Sequence, residues 1–186
     1  MIIYLTGFMG CGKSTIGRAV AKLTGMRLID TDREVEQRAG MGIPEIFDRH
    51  GEPYFRKLER EVLDEISATD EDILVSTGGG LPCHGNNGDV IQRTGKSVYL
   101  KMSPEKLLRR LTQARAVRPK LAGMNEAEML DYIRTALAER EPCYMHASMV
   151  VDCDGVSDRY IADHIVRYIE YLLPQGAEKT ADNSPE

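Results

Sequence analysis

The nine residues Gly7-Phe8-Met9-Gly10-Cys11-Gly12-Lys13-Ser14-Thr15 constrain this chain more than any other stretch. They carry the spacing G-x-x-x-x-G-K-[ST], follow the apolar run Ile2-Leu5 and precede a segment with helix-period apolar residues, Ser14-Leu23. Glycines let such a loop bend until consecutive backbone N–H groups face one anion, and the helix start adds its positive dipole end. Gly10, Cys11, Gly12, Lys13, Ser14 and Thr15 are therefore candidate phosphate contacts. Lys13 is expected to reach the β- and γ-phosphates of a nucleotide, and the Ser14 hydroxyl to ligate Mg²⁺. A chance match somewhere in a chain of this length runs at roughly one per cent, and less with the flanks correct.

A strand-loop-helix unit needs a sheet to belong to. Short β-branched or apolar runs recur at Ile2-Leu5, Leu28-Ile29, Ile73-Val75, Val98-Leu100 and Met149-Val151. Between them lie helical patterns over Ser14-Leu23, Asp32-Ala39, Ile43-Ser67, Pro104-Thr112, Glu126-Arg140 and Asp158-Leu173. The alternation predicts an α/β fold, a parallel sheet wrapped by helices. The 186 residues suit a single domain over 1–173. From Pro174 the chain loses apolar residues and gathers Pro, Gly, Ser and charge, which predicts a disordered tail over 174–186.

A net charge of -5 gives no general attraction to nucleic acid or to anionic membrane, so a small-molecule partner is expected. No run reaches the roughly 18 apolar residues of a membrane span, and no secretory leader is evident. Cys11, Cys83, Cys143 and Cys153 form no C-x-x-C or metal-type spacing and read as separate reduced thiols, which points to the cytoplasm.

What receives the phosphate is read from the rest of the chain. No asparagine precedes a lysine, so the N-K-x-D element of a GTPase switch is absent, and the strand Ile73-Val75 runs into Ser76-Thr77-Gly78-Gly79-Gly80 where a motor ATPase would place an acidic residue. A triple glycine allows close backbone approach and offers N–H donors to a ligand. In "LIDTD", Asp30 and Asp32 stand two apart at a strand end, and extended geometry would project both to one side at the carboxyl edge of the sheet. One carboxylate would serve the metal and one an acceptor hydroxyl; helix capping by Asp32 is the alternative. Arg56 and Glu59, at i and i+3, share a helical face, with solvated surface pairing as the default. Arginines crowd the stretch before Pro119, and a charged exterior helix accounts for Arg109 and Arg115. Arg118, beside that proline, is the better candidate to neutralise charge on a moving phosphoryl group.

Taken in order, "GFMGCGKST", "IDTD", "FRKLE", "STGGGLPC", "RPKL" at Arg118-Leu121 and "REPCY" at Arg140-Tyr144 closely resemble the shikimate kinase family, within the P-loop kinases. The resemblance runs from Ile2 to about Val151. It implies a three-layer αβα fold with five parallel strands in the order 2-3-1-4-5, a substrate-binding segment near 33–60 and a mobile lid near 112–124. It further implies a monomer that transfers phosphate from ATP, with Mg²⁺, to the 3-hydroxyl of shikimate. On this likeness Lys13 and Ser14 bind phosphate and metal, with Asp30 supporting the metal through water. Asp32 holds the acceptor hydroxyl, as a base or as an orienting group. Arg56, Arg140, Gly78, Gly79 and Gly80 hold the remainder of shikimate, Arg118 covers the transferring phosphate, and Arg110 lies near adenine. Two other readings stay open: a kinase of the same fold acting on gluconate or a nucleotide, and a nucleotide-binding module without catalysis.

Overall fold

The computed structural model describes residues 1–113, 121 and 123–173. Five strands, β1 (Ile2–Thr6), β2 (Arg27–Asp30), β3 (Ile73–Ser76), β4 (Lys96–Lys101) and β5 (Met149–Asp152), form one sheet in the order β2-β3-β1-β4-β5. Every neighbouring pair is parallel, with Tyr4 facing Val75 on one side and Ser97 on the other. All five carboxyl ends therefore lie along one edge, where open parallel sheets place their ligands.

Helices cover both faces because β1 and β3 are buried at every position and alternate sides with period two. Ile3, Leu5 and Leu74 turn to a core shared with α1 (Lys13–Thr24) and α7 (Asp158–Leu172), where Ile16, Val20, Ile161, Ile165 and Ile169 are buried. Ile2, Tyr4, Ile73 and Val75 turn to the opposite core, closed by Val35 of α2 (Thr31–Ala39) and by Leu58, Val62 and Leu63 of α3 (Ile43–Ser67). Each fully buried aliphatic side chain contributes about 1.5–3 kcal/mol, so two cores on one central sheet account for its rigidity. Leu107 and Leu111 of α5 (Pro104–Gln113) and Ile133 and Leu137 of α6 (Glu126–Tyr144) extend the first core toward the carboxyl edge.

Three local features differ from the expectation. Asn87–Thr94 forms a further helix, α4, after a 3₁₀ turn over Leu81–Cys83. The helical span Ile43–Ser67 is broken at Gly51, whose φ of 77° and ψ of 173° reset the chain direction two residues before Pro53. Helix α6 runs through Pro142 to Tyr144 rather than stopping at Arg140; a proline in the last turn forfeits little, and the Met145 N–H closes on the Glu141 carbonyl at 2.8 Å. No described helix is long and apolar enough to cross a membrane. The tail 174–186, and all of the expected lid but residues 112, 113, 121, 123 and 124, lie outside the described residues.

Candidate active site

The loop between β1 and α1 forms a cradle. Gly12 caps α1 with φ of 103°, a left-handed conformation open to glycine, and a β-carbon there would stand 2.7 Å from Arg110 Nη1. Lys13 Nζ donates to the carbonyl oxygens of Gly7 at 2.8 Å and Phe8 at 3.1 Å, inside the loop it belongs to, with only 8% of the residue exposed. Cys11 is fully buried and its sulfur lies 3.8 Å from that ammonium. The first amides of α1 and a buried cation thus converge where a phosphate chain would rest.

Next to the cradle stands a set of oxygen ligands. Ser14 Oγ donates to Asp30 Oδ2 at 2.7 Å and lies 3.2 Å from Ser76 Oγ. Hydroxyl and carboxylate oxygens side by side are the donors a Mg²⁺ ion takes while it keeps several waters. Among the described residues no group of three His, Cys, Asp or Glu is placed to hold a metal ion.

Asp30 and Asp32 do not share an extended strand. Asp30 ends β2 and is the N-cap of α2, its Oδ1 accepting from the Asp32 N–H at 3.2 Å, whereas Asp32 already belongs to the first helical turn. The cap is therefore Asp30 and not Asp32. Both carboxylates still line one cavity of about 420 Å³, together with Lys13, Ser14, Gly79 and Arg110.

The triple glycine is held against this pair. The Gly78 N–H donates to the buried Thr31 Oγ1 at 2.8 Å. A β-carbon on Gly78 would stand 2.5 Å from Asp32 Oδ1 and 2.9 Å from Glu59 Oε1, so both carboxylates press on this backbone. A β-carbon on Gly80 would stand 3.1 Å from Arg56 Nη1, and the Gly79 carbonyl accepts from the Tyr144 hydroxyl.

Arg56 and Glu59 do not form a surface pair. Arg56 Nη1 donates to Glu59 Oε2 at 2.5 Å, and Glu59 is only 2% exposed. Arg56 also donates from Nε and Nη2 to Glu52, at 3.1 and 2.7 Å. Burial pushes the Glu59 carboxyl up to about 7; the Arg56 charge and hydrogen bond pull it down, while the charges of Asp32 and Glu52 raise it. A carboxyl raised above its unfolded value binds its proton more tightly in the native state, so its contribution is complete below about 4.5 and is lost as pH rises through about 7. Between those values the denaturation midpoint of the wild type should fall relative to that of Glu59→Gln. Parallel pH profiles for the two proteins would remove the burial argument.

Of the other arginines, Arg110 donates to the Cys11 carbonyl at 3.3 Å and pairs with Asp158 at the start of α7, beside the cradle. Arg140 of α6 lies with its guanidinium 5.6 Å from the centre of the Phe8 ring. Arg118 lies outside the described residues. Glu59, Thr31, Ser76 and Tyr144 all enter the site without having been singled out as binding groups in the sequence. A signal existed for each, since they stand inside "FRKLE", "IDTD", "STGGG" and "REPCY", but contiguity alone does not show which way a side chain faces.

Sheet order, a G-x-x-x-x-G-K-S loop on the first strand and oxygen ligands at its edge define the chain's class, a P-loop nucleotide-binding protein of the kinase fold. A family model for shikimate kinase matches residues 9–170. A shikimate kinase of Flavobacterium johnsoniae is 44% identical over 154 residues, 82% of this chain and 90% of that protein. The crystal structure of shikimate kinase from Bacteroides thetaiotaomicron superposes with a TM-score of 0.84 at 39% identity, covering 92% of this chain and 97% of that one. Shikimate kinase from Acinetobacter baumannii, solved in complex with shikimate, gives 0.82 at 33% identity, covering 94% and 95%. The chain belongs to the shikimate kinase family.

Proposed function

We propose that this chain transfers the terminal phosphoryl group of ATP to the 3-hydroxyl of shikimate. The observation that carries the reading is the meeting of the Lys13 and Ser14 cradle with Asp32 in one cavity, since phosphoryl transfer needs a bound phosphate chain and a positioned hydroxyl side by side. It is supported by membership of the family and by the shikimate bound in the Acinetobacter baumannii relative.

In this reading Lys13 and the backbone of Gly10 to Thr15 hold the phosphates. Ser14 and Asp30 hold Mg²⁺, which neutralises charge on the phosphates when bound. Asp32 accepts or orients the hydroxyl proton, and Glu59 keeps Arg56 aimed. Arg56, Arg140 and the backbone of Gly78 to Gly80 take the acceptor's carboxylate and remaining hydroxyls, a guanidinium being matched to a carboxylate by its two parallel N–H donors. Residues 33–60 form the acceptor side, Arg118 belongs to a lid over 112–124, and Arg110 borders the nucleotide. The enzyme works as a monomer in the cytoplasm.

A coupled ADP-release assay with MgATP tests the reading, with shikimate, gluconate, quinate and AMP compared as acceptors. Turnover with shikimate alone, lost in Asp32→Asn, is the expected result; turnover with another acceptor, or none with any, would overturn it. Gly78→Ala provides a second check, because the added methyl drives Asp32 and Glu59 apart. It should lower kcat/KM for the acceptor about tenfold or more, as expected when positioned groups move by ångström distances, while nucleotide affinity is kept. An alanine enzyme with unchanged acceptor kinetics would show that Gly78 does not border the acceptor.

A further inference from the structure

Cys83 closes the 3₁₀ turn that follows Gly78–Gly80, and Cys143 stands in the last turn of α6, next to Tyr144. Both are free thiols, as the spacing suggests, but the fold brings them together from distant segments. Cys83 Sγ lies 3.8 Å from the Arg140 carbonyl oxygen, one turn before Cys143 on the same helix, so the fold makes the two thiols neighbours. Both are partly exposed, whereas Cys11 and Cys153 are fully buried. An oxidant can therefore reach one adjacent pair of sulfurs and not the other two.

The pair is also chemically unequal. The neighbouring thiol and burial raise Cys83, and the same contact lowers Cys143. Cys143 is then the better nucleophile and Cys83 the resolving partner.

We propose that Cys83 and Cys143 form a reversible disulfide that brakes acceptor binding under oxidation by a hydroperoxide. In the first step the Cys143 thiolate attacks one peroxide oxygen, the O–O bond breaks, and the departing oxygen takes a proton, leaving a sulfenic acid on Cys143. The Cys83 sulfur then attacks the Cys143 sulfur; the S–O bond breaks, the S–S bond forms, and water carries away the hydroxyl and the Cys83 proton. The two thiols lose two electrons and the peroxide gains them. A dithiol reverses the bond by exchange.

The mechanical consequence follows from bond length. A disulfide holds its sulfurs at about 2.05 Å, far inside thiol contact distance, so it draws the 3₁₀ turn and the end of α6 together. The first carries Gly80 and the second carries Arg140 and Tyr144, whose hydroxyl already holds the Gly79 carbonyl. The hydrogen bonds of Lys13, Ser14 and Asp30 run to neither cysteine. Oxidation should thus disturb the acceptor half of the cavity and spare the nucleotide half. The brake rests on the acceptor assignment proposed above; formation of the bond does not.

The test uses the full chain, freed of reductant, treated with hydrogen peroxide, alkylated and digested without reduction for peptide mass spectrometry. The expected product is the Cys83–Cys143 cross-linked peptide, lighter than its two parts by two hydrogens and lost on treatment with dithiothreitol, while Cys11 and Cys153 stay reduced. In kinetics the acceptor KM of the oxidised enzyme should rise about fivefold or more with the MgATP KM unchanged. Cys83→Ser and Cys143→Ser should each keep the basal rate and lose the response to peroxide. Recovery of both cysteines as free thiols, or of either only as sulfinic or sulfonic acid, overturns the disulfide. A disulfide with unchanged acceptor KM overturns the brake. If the reduced enzyme does not turn over shikimate, the functional reading fails, and mass spectrometry together with the acceptor that is turned over still decides this proposal.

Discussion

Replacing Lys13 by alanine should lower kcat for phosphoryl transfer by a factor of about 10² to 10³, the cost of removing one preorganised group aimed at transition-state charge. The reason lies in where this ammonium sits. It is almost fully buried, bonded to the carbonyls of Gly7 and Phe8, and so stands at the cradle before any phosphate arrives. A cation held in a low-dielectric setting acts on developing charge without reorganising at the moment of reaction. Lys13→Arg should recover little of the loss, because a planar guanidinium cannot occupy the place of a compact ammonium between two carbonyls and a buried sulfur. The folded state should survive, since α1 is anchored by Ile16 and Val20 in the core. Steady-state kinetics with circular dichroism checks both halves. A folded alanine enzyme with kcat within about threefold of wild type would rule out a role on the transition state.

Asp32→Asn is expected to reduce kcat by about 10² to 10⁴, the range for loss of a positioned proton acceptor. Asparagine keeps the shape against Gly78 but cannot take a proton, so KM for the acceptor should change far less than kcat. The structure supplies an independent readout. Burial raises the Glu59 carboxyl to about 7, and Asp32's negative charge adds to that rise. Its removal should lower that value, and the window in which stability falls with rising pH should shift to lower pH in the variant. A variant with wild-type kcat would leave Asp32 as a structural neighbour of Gly78, and an unshifted pH window would separate it from Glu59.

The central strands β1, β3 and β4 were legible because both of their faces are buried, so each reads as an apolar run and only the ends slip by a residue or two. Helix α4 was not legible. "NNGDVIQRTG" offers Val90 and Ile91 side by side and several turn formers, with no helical period to detect. Tertiary packing makes it a helix: Val90 and Ile91 enter the second core, and Asn87 donates to the Leu81 carbonyl at 3.0 Å. The break at Gly51 has a local signal in Gly51-Glu52-Pro53, but the apolar period resumes after it and masks the kink. The Arg56 and Glu59 pair was legible as a pair but not as a buried one, since spacing of i and i+3 is the same on a wet face and a dry one.

What the sequence determined by itself is the chemistry that is contiguous along the chain. Residues 7–12 form one loop, its dihedral needs are met by its own glycines, and Lys13 and Ser14 open the helix that follows, so the phosphate cradle is a local property. The proposed acceptor side is not. Asp32, Glu59 and Gly78 come from α2, α3 and the turn after β3, and only the packing of β2 on β3 and α3 on the sheet brings them within contact. Whether Glu59 is charged near neutral pH, and whether Cys83 meets Cys143, depend on neighbours supplied by distant segments. Desolvation and through-space contact are set by what the fold assembles around a group, not by its place in the chain.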